Sequence, residues 1–149
     1  MKANASLHTL VDLTQGQVDE AGRQLQELTG QRDAANSQLD MLQSYRQDYA
    51  QRLLDAGRTG LSMANYHNFR RFIATLDDAI SQQNKVILTL EDKIEQGRQE
   101  WHARQRRLNA YETLIGRRQQ EQQRKQLRME QRANDEIAAR LYLRSQSAY

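Results

Sequence analysis

Residues 55–62 read Asp-Ala-Gly-Arg-Thr-Gly-Leu-Ser, and the fold turns on how this stretch is read. It holds two glycines three apart, in a chain of 149 residues with seven glycines and no proline. Glycine accepts the positive φ that ends a helix and reverses the chain. Ser62 is of the type that caps the helix that follows, since its hydroxyl can take up an orphan N–H of the first turn. A proline inside a helix costs roughly 3 kcal/mol. Its absence leaves the segments on either side free to form very long helices.

On both sides the apolar residues recur in alternating steps of four and three. Upstream run Leu7, Val11, Thr14, Val18, Ala21, Leu25, Leu28, Arg32, Ala35, Leu39, Leu42, Arg46, Tyr49 and Leu53, of which eleven of fourteen are apolar. Downstream run Phe69, Ile73, Leu76, Ile80, Gln83, Ile87, Leu90, Ile94, Gly97, Trp101, Arg104, Leu108, Tyr111 and Ile115, again eleven of fourteen. A 3.5-residue period held this long is the mark of a left-handed coiled coil rather than of a globular helix. The expectation is an all-α chain in one unit, residues 1–149: a two-helix antiparallel coiled-coil hairpin. Its helices are expected at about 4–56 and about 62–140, with a turn at about 57–61.

Length supports the fold-back. The first arm spans about 53 residues, near 80 Å at 1.5 Å per residue. An equal partner starting at Ser62 ends near Ile115, and the seam fades there. Gly116 follows, and Arg118, Gln122 and Lys125 occupy the next three core positions. Residues 117–149 then form a basic helical overhang, polar all round in its first part, with no partner in the chain. An isolated helix of this kind is marginal in water, so the overhang is expected to fray until something orders it.

Composition sets limits on function. Hydrophobic residues make up 38% and aromatics 6%, enough for a narrow seam but not for a wide core. Cysteine is absent, which excludes disulfides and thiolate chemistry and suits a reducing compartment. No stretch approaches the ~20 apolar residues of a membrane span, and no signal-peptide pattern opens the chain. The reading is cytoplasmic, without a transmembrane segment. His8, His67 and His102 lie far apart, Asp77-Asp78 diverge around a helix, and no phosphate-binding loop occurs. Gly57-Arg58-Thr59-Gly60 has the spacing of an RNA-clamping loop, but that loop needs a sheet around it. The sequence therefore points to a non-enzyme with no metal and no cofactor.

Charge is uneven. The net value is +3, but residues 1–97 carry ten Lys/Arg against thirteen Asp/Glu, whereas residues 98–132 carry ten against four. Such a basic segment suits nucleic acid, anionic lipid or an acidic protein surface; the blander reading is a solvated helix face. Nucleic acid is not expected as a partner, because aromatics do not interleave the basic residues after Tyr111.

Some residues lie outside the seam and still matter. Gln38 and Tyr45 take g positions beside Leu42 and Tyr49, and Phe72 and Ala79 take g positions beside Leu76 and Gln83. In an antiparallel pair the g edges adjoin, so both stripes fall on one side. Counting back from the turn sets Tyr45 opposite Phe72 and Gln38 opposite Ala79. Ordinary coiled coils keep Glu or Lys at g, and aromatic rings there are typical of binding hot spots. The alternative is that the rings only widen the seam near the turn.

The stretch QLDMLQSYRQDY (38–49), then Asn65-Tyr66-His67-Asn68-Phe69-Arg70-Arg71-Phe72-Ile73 and Leu76-Asp77-Asp78-Ala79-Ile80, resembles the FliJ proteins of the bacterial flagellar export apparatus. The similarity continues through Trp101, Arg107-Leu108, Tyr111-Glu112-Thr113-Leu114 and Arg117-Arg118. It covers roughly residues 5–118, in order and spacing rather than through a single motif. The resemblance implies a cytoplasmic component of type III protein export, peripheral to the inner membrane at the flagellar base and needed for motility and chemotaxis. It implies a stalk-like coiled coil that enters the hexameric flagellar export ATPase, promotes its assembly, links it to the cytoplasmic domain of the membrane export gate, and escorts export chaperones. The gate-binding surface of the family falls here on Gln38, Leu42, Tyr45, Tyr49, Phe72, Leu76, Ala79 and Gln83; the last is often His in the family. Arg104, Arg106, Arg107, Arg117 and Arg118 are the expected ring-facing cations. Alternatives are the equivalent stalk of a virulence secretion system and a coiled coil that binds nucleic acid or anionic membrane.

Overall fold

The computed structural model describes the backbone of residues 2–147 and the side chains of residues 4–147. It holds two helices, α1 (Lys2–Thr59) and α2 (Met63–Ser147), and among the described residues no strand. The helices pack against each other as a helical hairpin. By contacts the chain divides into two compact units: Val18–Ala103, which contains the turn, and Met1–Gln17 with Arg104–Tyr149.

The reversal takes three residues, Gly60 to Ser62. Gly60 has φ +90°, a left-handed conformation that glycine adopts without strain, and no other described residue has positive φ. The expected pair of turn glycines is thus corrected to one. Gly57 stays helical, and α1 runs on to Thr59, where the Thr59 hydroxyl donates to the Ala56 carbonyl at 3.2 Å. Ser62 starts α2 as expected: its Oγ accepts the Asn65 N–H at 3.2 Å, and its carbonyl accepts the Tyr66 N–H at 2.9 Å.

The seam follows the heptad positions. Of the fourteen upstream positions all but Arg46 are buried or half-buried, and so are all fourteen downstream ones. In the turn-containing unit the most enclosed are Val18, Ala21, Ala35, Leu76, Ile87 and Ile94. Among the described residues no side chain falls below 2% exposure, because a two-helix seam is covered from only one side. Small residues let the helices approach. A Cβ on Gly97 would stand 3.5 Å from Leu25 Cδ1, and one on Gly22 would stand 3.4 Å from the Trp101 indole nitrogen.

Polar residues in the seam find specific partners across it. Gln83 Nε2 donates to the Ala35 carbonyl at 2.9 Å, and the Arg46 guanidinium hydrogen-bonds and ion-pairs with Asp77. That hydrogen bond, and then the carboxylate's charge, raise the Arg46 pKa above its ordinary value. No buried side-chain nitrogen or oxygen among the described residues lacks a partner.

In the second unit Leu7, Thr14 and Leu108 are buried, and Arg104 Nη1 donates to the Gln17 carbonyl at 3.2 Å. Past Arg118 every described residue is exposed, through to Ser147, although the backbone stays helical.

Candidate functional site: an aromatic face beside the seam

The eight residues singled out on α1 and α2 all lie within the turn-containing unit. Heptad spacing puts Leu42, Tyr49, Leu76 and Gln83 at the seam margin, and the g residues Gln38, Tyr45, Phe72 and Ala79 beside it. Tyr45 is 50% and Phe72 42% exposed, and Gln38 is exposed. Leu42, Tyr49, Ala79 and Gln83 are half-buried, and Leu76 is buried. The set therefore has a floor and a surface. Leu76 and Leu42 hold the helices together, while Tyr45, Phe72 and Gln38 are presented to solvent.

The rings form one cluster. Tyr49 and Phe72 lie with centroids 4.3 Å apart and planes inclined at 34°, and Phe69 sits 6.2 Å from Tyr49. Arg52 places its guanidinium carbon 5.4 Å from the centre of the Tyr49 ring, a cation–π contact. A shallow apolar hollow opens there, lined by Tyr49, Asn65, Asn68, Phe69 and Phe72. Exposed aromatic surface of this kind is the material of protein-binding hot spots.

Among the described residues the ring that Phe72 meets is that of Tyr49 rather than the counted Tyr45. Asp77 meets Arg46, and Gly97 meets Leu25. The numbers of these partners add to 121, 123 and 122, whereas Tyr45 with Phe72, or Gln38 with Ala79, adds to 117. Apolar layers pack a residues of one helix against d residues of the other, and this layer order sets the register. Tyr45 and Phe72 keep the same edge by heptad position but are not face to face. Gln83 has its amide nitrogen occupied by the Ala35 carbonyl, so it braces the seam beside the face.

The expected cations fall into two groups. Arg104 is half-buried and holds the Gln17 carbonyl, while Arg106, Arg107 and Arg117 are exposed and Arg118 is half-buried. One apolar cluster escaped the heptad reading. Leu53, Leu54, Gly57, Leu61, Met63 and Tyr66 line a hollow at the turn, with Leu54 62% and Met63 71% exposed. Apart from Leu53, a seam position, its signal is apolar residues off the seam, close around the chain reversal. Among the described residues no group of acidic, His or Cys side chains could hold a metal ion. No helix among them is long and apolar enough to cross a membrane.

The family model described as flagellar FliJ protein matches residues 2–147. The flagellar FliJ protein of Salmonella typhi is 31% identical over 144 residues, covering 97% of this chain and 98% of that protein. The flagellar FliJ protein of Escherichia coli K12 is 30% identical over 144 residues, with the same coverage. A match of this extent, over a helical hairpin with an aromatic face beside its seam, shows that the chain belongs to the flagellar FliJ family.

Proposed function

We propose that this chain is a non-catalytic component of flagellar protein export. In this reading it works in the cytoplasm at the base of the flagellum as a stalk for the hexameric export ATPase and a link to the membrane export gate. The exposed Tyr45 and Phe72 beside a fully formed seam carry the proposal: the fold is already closed without them, so their apolar surface is available to a partner. Family membership supports the flagellar setting over a virulence secretion system. Against nucleic acid or lipid as the main partner, Arg104, one of the expected cations, is spent on the Gln17 carbonyl.

The division of labour follows from chemistry. The aromatic face, with Gln38, Leu42, Tyr45, Tyr49, Phe72, Leu76, Ala79 and Gln83, docks on the cytoplasmic domain of the gate. Arg106, Arg107, Arg117 and Arg118, with Arg104 beside them, meet acidic ring surface. A helical pair that touches ring subunits unequally favours one arrangement of ATP sites, and only that difference in contact energy can change turnover. Export chaperones are the third class of partner in this reading.

The test is ATP hydrolysis by the cognate export ATPase with and without this chain, with hexamers counted by electron microscopy. Faster turnover and more hexamers are expected, and no change in either overturns the stalk reading. Phe72→Ala should weaken gate binding about tenfold while leaving ATPase stimulation intact. Unchanged gate binding removes the aromatic face from that contact.

A further inference from the structure

The turn-containing unit has a second edge, and near the turn that edge is bare. The aromatic face follows the g positions, whereas the e positions of the two helices adjoin on the opposite edge. There the hollow at the turn continues into a second one, lined among others by Arg46, Ala50, Arg70, Ile73, Ala74 and Asp77. Leu53 and Leu54 line both hollows, so the two make one trough. From Gly57 back to Arg46 it follows α1 for about 16 Å, or about three helical turns.

Small side chains open it. Coiled coils usually carry Glu or Lys at e, and the stems of such residues cover the seam. Here α1 has Ala50 and Gly57 at e, and a Cβ added to Gly57 would meet nothing within 4 Å. Leu53 and Ile73 form a half-buried floor, while Leu54, Met63 and Ala74 stand exposed along the sides.

Charge is sorted along this edge. Between Ala50 and Ala74 the e and b positions hold Arg70, and the adjoining f positions hold Arg58 and Arg71; none of these positions holds a carboxylate. Asp55 falls at c, turned away from the trough, and accepts from Gln51 at 3.2 Å. At the far end Asp77 is neutralised by Arg46. Among the described residues Arg58, Arg70 and Arg71 make no ion pair. Arg70 holds its guanidinium carbon 5.9 Å from the centre of the Tyr66 ring, at the mouth of the trough.

We infer that the trough is the docking groove for an amphipathic helix of about three turns, with apolar residues on one face and acidic residues flanking them. Its apolar face lies on Leu53, Leu54 and Ile73, and its carboxylates reach Arg58, Arg70 and Arg71. A basic helix would meet three unpaired cations instead. A flat anionic surface can touch Met63 beside the turn, but not the stretch that runs back along the hairpin to Arg46. The contact is separate from the stalk and gate roles and reads out without ATPase or gate.

The probe is a fluorescent synthetic helix of about 18 residues, long enough to hold helical structure, with Leu on one face and Glu beside it. Titration with the full chain, read by anisotropy, should give saturable binding below about 1 mM, at least tenfold weaker when Lys replaces Glu. Gly57→Glu sets an acidic side chain into open space in the trough and should weaken binding at least tenfold. Circular dichroism should show that variant still folded, because Gly57 is already helical. Ala74→Glu, on the other side, should act alike, and Phe72→Ala, on the opposite edge, should leave probe binding unchanged. No saturable binding, or binding indifferent to Gly57→Glu and Ala74→Glu, overturns the inference. Equal binding of the Lys probe overturns the acidic partner, and loss with Phe72→Ala moves the probe to the aromatic face. Binding to phosphatidylglycerol vesicles that Gly57→Glu abolishes, without binding of the probe, gives the trough to a membrane surface and overturns the helix. Self-association that Gly57→Glu abolishes, seen by sedimentation of the chain alone, gives it to a second copy and does the same.

Discussion

Ile94 and Ile137 are the same residue on the same helix, yet one is 5% exposed and the other 57%. Both lie in stretches that alternate apolar and polar residues, and both have helical backbone. What separates them is company. Ile94 belongs to a stripe matched in phase by α1, and Ile137 lies in a stretch of α2 where every described residue is exposed. Helicity and amphipathic pattern therefore do not tell whether a helix is stabilised by the fold; a second stripe in the matching register does.

The largest effect should come from breaking the matched stripe. Ile94→Ala removes three buried carbons from a seam with little freedom to collapse, and should cost about 2–4 kcal/mol in unfolding free energy. Urea denaturation followed by circular dichroism measures it. A loss below about 0.5 kcal/mol would mean that the two helices do not depend on this layer.

Glycine positions sharpen the contrast in the middle of the range. Gly60 holds φ +90°, so Gly60→Ala forces a side chain into the left-handed region and should destabilise the hairpin by about 1 kcal/mol. Gly97 is helical, and an added methyl would meet Leu25 and Leu28 at 3.5 and 3.8 Å, ordinary contact distances. Gly97→Ala should therefore stabilise by about 1 kcal/mol, mostly through helix propensity. The two substitutions are chemically identical and of opposite sign. Thermal melts of both, side by side, check the pair; equal signs would contradict the turn geometry.

Much of this architecture is legible in the sequence because a coiled coil writes its core in a fixed period. The heptad positions from Leu7 to Ile115 could be assigned to the seam by counting alone, with Arg46 the exposed exception, while off the seam counting misses half-buried residues such as Ala50 and Ala79. The long Arg46 side chain leans out of the seam to reach Asp77. Two features resist counting. Gly57 and Gly60 offer the turn equal conformational freedom, and only the extra helical turn gained by running to Thr59 selects Gly60. The heptad also leaves relative register open, because sliding one helix by several residues still matches apolar positions. Specific contacts fix it, among them Tyr49 on Phe72 and Leu25 near Gly97.

The smallest effect tests the other half of the comparison. Ile137→Ala removes the same three carbons as Ile94→Ala, at a site with no seam to lose. It should change the unfolding free energy by less than about 0.5 kcal/mol. Its helix content should hold or rise slightly, since alanine is the better helix former by a few tenths of a kcal/mol. The tail signal should fade gradually with temperature, ahead of the cooperative melt of the paired helices, because a helix without tertiary support melts residue by residue. If Ile137→Ala lowered the main transition as Ile94→Ala does, the tail would have to share the core of the hairpin.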